Sequence, residues 1–157
     1  MNGSAGRALI NSIGKIGIAC EVEHEVIEIP ADIRDQLVAH AVEGLPNEAC
    51  GLLAGRGSRA ERFSPMTNAD HSPVTYRLDP KEQLDTFEEI EEKEWDVVGI
   101  FHSHTHTEAY PSETDRMQAF YPDAHYLLVS LQDQDNPVLR GYTIRDGVIA
   151  EQEVRIT

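Results

Sequence analysis

The chain has 157 residues, 40% of them hydrophobic, enough for one domain that buries roughly two thirds of its unfolded surface. Thirteen basic residues against 28 acidic ones give a net charge of −15 at pH 7, which argues against nucleic acid as a partner, because a phosphate backbone demands a basic footprint. No run approaches the ~20 apolar residues of a membrane helix, and two cysteines, Cys20 and Cys50, make no disulfide framework and match no zinc spacing, so a soluble cytoplasmic protein is expected.

Residues 1 to 20 are rich in Gly, Ser and Ala and are expected to form a loose arm ahead of a single domain spanning 21–157. The run RALINSIGKIGIAC ends in cysteine as some export signals do. Asn11, Ser12 and Lys15 interrupt it, however, and Gly17 stands where an aliphatic residue is usual. EVIEIP (25–30) alternates apolar and polar residues and predicts a strand ended by Pro30. In the next segment Ile33, Leu37, Val38, Ala41 and Val42 form an apolar stripe of helical spacing, stopped by Gly44 and Pro46.

CGLLAG (50–55) predicts a short buried strand with Glu48 just ahead of it, and GRGS (55–58) a turn. ERFSPMTNA (61–69) predicts a paired strand broken at Pro65. LDPKEQLDTFEEIEEKEW sets Asp79 as N-cap, Pro80 at the first helical position and Glu82 at the third, a capping-box arrangement. Leu84, Phe87 and Ile90 are expected to face inward along that helix, with the acidic run Glu88–Glu94 in solvent. DVVGIFHSH (96–104) is expected to be a central strand. SETDRMQAFY (112–121) predicts a short helix capped by Ser112 and closed by Pro122. AHYLLVSL, VLRGYTIR and VIAEQEVRI supply three more strands, the last two joined by a turn at Asp146-Gly147. Strands outnumber helices in mixed order, which indicates an α+β or three-layer α/β domain.

The stretch HSHTHTEAYPSETD (102–115) carries the chemistry. His102, His104 and His106 recur at period two, so a continuing strand would turn all three to one face. Two imidazoles at a strand end can hold Zn²⁺, and a catalytic zinc needs three protein ligands with one open position. The third ligand is either His106 or a carboxylate from the following helix. Asp115, three residues after the cap Ser112, is placed to turn back to the strand end. A Ser-His-Asp acyl-enzyme is the competing reading. Against it, Ser112 lacks a G-x-S-x-G elbow and Ser103 is flanked by histidines. A polar loop with unrelated histidines is the third reading.

His102, His104, Ser112 and Asp115 also fit H-x-H-x7-S-x2-D, and the chain here resembles the JAMM/MPN+ (Mov34/MPN/PAD-1-like) zinc metalloproteases. The likeness runs from about residue 26 to the end. PNEACGLLAG, PMTNADHSPVTYRLDP, HSHTHTEAYPSETD and PDAHYLLVS look like the bacterial Mec-type subgroup. Those are peptidases that release a C-terminal cysteine from a ubiquitin-like sulfur-carrier protein during cysteine biosynthesis.

The resemblance implies a curved mixed β-sheet flanked by helices, like that of cytidine deaminases. It implies Zn²⁺ held by His102, His104 and Asp115, with Glu48 as general base then acid and Ser112 as oxyanion donor. It implies a partner carrier with a C-terminal Gly-Gly tail, laid along a sheet edge, and hydrolysis of the amide bond after that glycine. Cleavage of lysine-linked modifiers, or a catalytically silent MPN scaffold, are the alternative functions. Thr105 stands where many relatives have proline, a departure that suits the cysteine-peptidase subgroup. His106 has no role in the pattern and is left as a bystander, a proton relay or an alternative ligand. Cys50 is expected to be a small buried hydrophobe. Arg56, Arg59 and Arg77 are the residues available to pair with the carboxylate of a leaving cysteine. Oligomeric state is not legible in the sequence.

Overall fold

A computed structural model of the chain describes residues 24–157, so the arm expected over residues 1–20, with Cys20, lies outside the described residues. The elements run β1 (Val26–Ile29), α1 (Ala31–Gly44), β2 (Cys50–Arg56), β3 (Arg59–Met66), α2 (Pro80–Glu92), β4 (Asp96–His104), α3 (Glu113–Met117), β5 (His125–Ser130), β6 (Val138–Arg145) and β7 (Val148–Ile156). One curved mixed sheet holds all seven strands in the order β1-β3-β2-β4-β5-β6-β7. It curves until β1 pairs in parallel with β7 and touches β3 at the single register point Glu28↔Arg59. This is the α+β arrangement of a curved sheet with flanking helices. Among the described residues no helix is long and apolar enough to cross a membrane.

Alternation along the strands builds two cores on opposite faces of the sheet. Leu53, Phe63, Phe101, Leu127 and Val129 face α1 and pack on Ile33, Leu37 and Ala41. Cys50, Leu52, Ile100 and Tyr126 face the other way, with Leu78 and the inner side of α2. Strands β2, β4 and β5 are thus covered on both sides. That is why their sequences read as continuous apolar runs and not as alternating ones.

Four local expectations change. Val42 is 47% exposed and Leu84 is 58% exposed. The inward row of α1 is Ile33, Leu37 and Ala41 at strict i+4 spacing, and Val42 lies 100° round from Ala41. On α2 the inward row is Gln83, Phe87 and Ile90, with Gln83 Nε2 donating to Tyr121 Oη at 2.8 Å, and Leu84 is rotated off it. Strand β3 runs unbroken through Pro65, opposite Gly51. Its far edge meets β1 only at Arg59, so the missing N–H of Pro65 costs no ladder bond on that side. Helix α3 ends at Met117, short of Phe120 and Tyr121, because the chain must already turn for the parallel strand β5.

The turn at Asp146-Gly147 and the cap at Asp79 form as expected, and the capping box with Glu82 does not. Asp146 and Gly147 both have positive φ, 52° and 78°, the primed turn that matches strand twist. Asp79 accepts from the amides of Lys81 and Glu82 at 3.0 Å each. Glu82 does not reach back to its own cap. Its carboxylate accepts from Thr67 N at 2.7 Å and Thr67 Oγ1 at 3.0 Å, tying the helix to the loop 67–79.

Phe101 is fully buried, packs edge-on against Phe63 and immediately precedes His102. Replacement Phe101→Ala should cost about 3–5 kcal/mol in urea-denaturation stability.

Candidate metal centre

The site begins with the ladder between β2 and β4. Cys50 lies opposite His102 and Gly51 opposite Phe101. Beyond the last strand pair, Ser103 N donates to Ala49 O at 3.0 Å, and Ser103 Oγ accepts from Ala49 N at 2.8 Å. Continuing this antiparallel register sets Glu48 opposite His104. Side-chain alternation then places Glu48, Cys50, His102 and His104 on one face and turns Ser103 to the other. Residues separated by more than fifty positions meet through backbone pairing alone.

The second half arrives from the parallel crossover between β4 and β5, at the carboxyl end of β4, where ligand sites of mixed sheets gather. Ser112 caps α3 in a full capping box: its Oγ accepts from Asp115 N at 3.0 Å, and Asp115 Oδ2 accepts from Ser112 N at 2.9 Å. The same Oδ2 lies 3.0 Å from His102 Nε2 and 3.1 Å from His104 Nε2. All three side chains are buried. Their ligand atoms lie within 4.8 Å of one another, the one such group among the described residues.

This donor set fits a metal ion. Tetrahedral bonds of ~2.0–2.1 Å separate neighbouring ligand atoms by about 3.3 Å, so an ion between Oδ2 and the two Nε2 atoms needs an expansion of a few tenths of an ångström. Two imidazoles and a carboxylate leave a fourth position open. The outer face of His104 is prepared as well: its Nδ1 lies 2.8 Å from Glu108 O and 3.1 Å from Thr107 Oγ1, which directs Nε2 at the cluster. His102 is held differently. Its Nδ1 has no hydrogen-bond partner, and the ring stacks on Tyr76 with centroids 4.2 Å apart and planes at 16°.

Burial sets the proton affinities. It pushes the Glu48 carboxyl up to about 8; His104 nearby opposes the shift and Asp115 adds to it. Glu48 Oε1 has no partner. Burial also acts to raise Asp115, but hydrogen bonds from His102 and His104 outweigh it and hold that carboxyl well below the usual range. For His102 burial wins and lowers the imidazole. For His104 burial is overcome by Asp115 and the Glu108 carbonyl, so it is raised. Tyr76 is raised well above its ordinary value by burial and stays a neutral phenol.

The fold brings together Glu48, His102, His104, Ser112 and Asp115 and separates His106. Strand β4 ends at His104, and the period-two pattern stops with it, leaving His106 exposed in the following bend. Cys50 is fully buried in the second core, with its thiol pushed up to about 12 by burial, the small hydrophobe expected. Two residues escaped the sequence reading. Tyr76 is one. The other is Asn68, whose Nδ2 donates to Glu48 O at 3.0 Å and Thr75 O at 2.9 Å, while its Oδ1 accepts from the amides of Asp70 and Arg77. Both sit in the stretch PMTNADHSPVTYRLDP, which carries the family resemblance as a whole but gives neither residue a local signature of its contacts.

Residues 30–144 match the model of the prokaryotic homologues of the JAB domain. The CysO-cysteine peptidase of Mycobacterium tuberculosis is 51% identical over 133 residues, covering 83% of this chain and 91% of that protein. The desampylase of Haloferax volcanii is 39% identical over 111 residues, covering 66% of this chain and 80% of that protein. The solution structure of protein DSY2949 from Desulfitobacterium hafniense superposes with a TM-score of 0.76 at 38% identity, covering 83% of this chain and 92% of that one.

Two outcomes are expected from this geometry. Asp115→Ala should abolish stoichiometric metal binding in a chelator-competition titration, and His106→Ala should leave it intact. In metal-stripped protein, native Glu48 keeps a proton that the unfolded chain releases above about 4.5. Stability should therefore fall as pH rises from about 4.5 to about 8, by roughly 2–4 kcal/mol more than in Glu48→Gln, measured by urea unfolding in chelator.

Proposed function

This chain belongs to the prokaryotic JAB family of the JAMM/MPN group, and from that premise we propose that it is a zinc metallopeptidase. It hydrolyses the amide bond after the C-terminal glycine of a ubiquitin-like sulfur-carrier protein and releases cysteine in the cytoplasm. The observation that carries this reading is the convergence of His102 Nε2, His104 Nε2 and Asp115 Oδ2 on one buried point, with a buried, part-unpartnered Glu48 carboxyl set across from His104. The 51% identity to a protein named CysO-cysteine peptidase supports the choice of cysteine as the leaving group. We assign the catalytic domain to residues 21–157.

His102, His104 and Asp115 hold the zinc. When bound, zinc supplies a fixed positive charge that lowers the pKa of water to ~7 and polarises a carbonyl oxygen. Glu48 accepts the proton of the attacking water. Burial pushes its carboxyl up to about 8, and a cation at the cluster favours the ionised form that a base requires. Glu48 then hands the proton to the leaving amine.

Ser112 answers a question that its sequence position leaves open. Its oxygen is the acceptor in the capping box, taking the Asp115 amide with a lone pair. The hydroxyl proton is not spent in that bond and is available to donate to the carbonyl oxygen as it becomes an oxyanion. Capping and oxyanion stabilisation use opposite ends of one O–H group, so the two roles are compatible. Such a donor is commonly worth ~2.7–4 kcal/mol.

The test incubates the purified protein with a carrier ending in Gly-Gly-Cys and, separately, with a lysine-linked conjugate of the same carrier, followed by mass spectrometry. Cysteine release is expected, abolished by chelation, restored by zinc and reduced about 10²–10⁴-fold in kcat by Glu48→Gln. Preferred cleavage of the lysine conjugate would move the assignment toward the isopeptidase activity that the desampylase name describes for that relative. Activity that survives both chelation and Glu48→Gln would falsify the metal mechanism.

A further inference from the structure

A cysteine at the end of a chain differs from a lysine side chain in one respect close to the bond being cut. Its carboxylate carbon lies about 2.5 Å from the leaving nitrogen, two covalent bonds away. A lysine isopeptide carries no charge there. A residue that tells the two apart must be positive and stand within a side-chain length of the metal centre. It must also stand on the side of Glu48, because the leaving amine takes its proton from that carboxyl.

The loop 67–79 is tied both to Glu48 and to the metal centre. It is bound to the Glu48 backbone by Glu48 N donating to Ser72 O at 2.9 Å and by Asn68 Nδ2 donating to Glu48 O at 3.0 Å. It reaches the metal centre through Tyr76, stacked on His102. Arg77 follows directly. Its amide donates to Asn68 Oδ1 at 3.2 Å and its Nε to Asp70 Oδ1 at 3.3 Å, a hold that orients the guanidinium and leaves both Nη amino groups unengaged. Tyr76 and Arg77 together line a cavity of about 430 Å³, with Ile100, two residues before His102 on β4, and with Gln118, Phe120 and Tyr126. Arg77 is the cation of that lining.

The other arginines named by the sequence stand elsewhere. Arg56 and Arg59 flank the β2–β3 turn, at the end of the sheet where Gly55 pairs with Asp96, the end of β4 opposite to His102. Arg59 is further engaged by Glu28 and Glu61. Arg116, next to the ligand Asp115, is taken up by Glu113 and by Gly147 O.

We propose that Arg77 binds the α-carboxylate of the leaving residue and selects a C-terminal amino acid with a free carboxylate over a lysine side chain. The inference rests on the peptidase reading of the same site. A bidentate guanidinium–carboxylate pair suits this task, since it reads charge and planarity together, and Asp70 behind the guanidinium keeps it in place.

The experiment compares a carrier ending in Gly-Gly-Cys with the same carrier ending in Gly-Gly-cysteine amide, which removes the charge and keeps the scissile bond. Wild-type protein should favour the free acid roughly 10- to 100-fold in kcat/KM, through KM. In Arg77→Ala the ratio should fall to within about threefold of one, and Arg77→Lys should recover part of it, since an ammonium restores charge but not the fork. Zinc content and melting temperature should match wild type, because Arg77 is largely exposed. A wild-type enzyme indifferent to amidation, or an Arg77→Ala variant that keeps the preference, overturns the assignment of Arg77 alone. Failure of the wild type to release either cysteine or its amide overturns the peptidase reading itself.

Discussion

The site depends on one constraint, the antiparallel register of β2 against β4. Setting Cys50 opposite His102 puts Glu48 opposite His104 and on its face of the sheet. A slip of one residue would send Glu48 to the α1 core and leave the histidines facing no base. The register is not held by the polar residues themselves. Leu53, Phe101, Phe63 and Leu127 occupy the opposite face, fully or almost fully buried, and only one pairing keeps them inward. Apolar burial on one face thus pins the geometry of the candidate site on the other.

The residues placed to hold a metal use a second economy of structure. Asp115 Oδ2 closes the capping box on Ser112 and also faces both imidazoles. A helix of five residues has little cooperative stability of its own, so the cap that starts α3 is also what aims its carboxylate. Burial then sharpens the chemistry. It drives the Glu48 carboxyl towards its neutral form and concentrates the negative charge on Asp115, which leaves one site ready for a cation and a neighbour ready to move protons.

Around this centre the loop 67–79 has no regular secondary structure beyond one bridge, Asn68↔Leu78, yet it is fully organised. Asn68 takes the place of a ladder, spending its amide and carbonyl on five backbone groups of the loop and of Glu48. Tyr76 stacks on the ring of His102, whose Nδ1 has no hydrogen-bond partner. Neither role has a local signature. An asparagine in a polar loop and a tyrosine two residues before a leucine look alike in a string whether or not they touch a site.

Much was legible in the chain all the same. Helices, turns and central strands follow from period, caps and apolar runs, because these are properties of neighbours in sequence. The errors at Val42, Leu84 and Pro65 share a cause. Apolar spacing tells that a helix has an inner face and leaves open by which 100° step it is rotated; likewise a proline breaks a strand only where a partner needs its N–H. The two histidines, the serine and the aspartate were recognised by spacing, since they lie within fourteen residues of one another. Tertiary structure decided what spacing could not. It stopped the period-two pattern at His104 and left His106 outside, because the strand ends there. It delivered Glu48 from a distant segment through strand pairing, and it set Arg56 and Arg59 at the end of β4 away from His102 while tying the loop that carries Arg77 to the Glu48 backbone. Local chemistry is written along the chain, whereas convergence depends on which strands pair and how far each one runs.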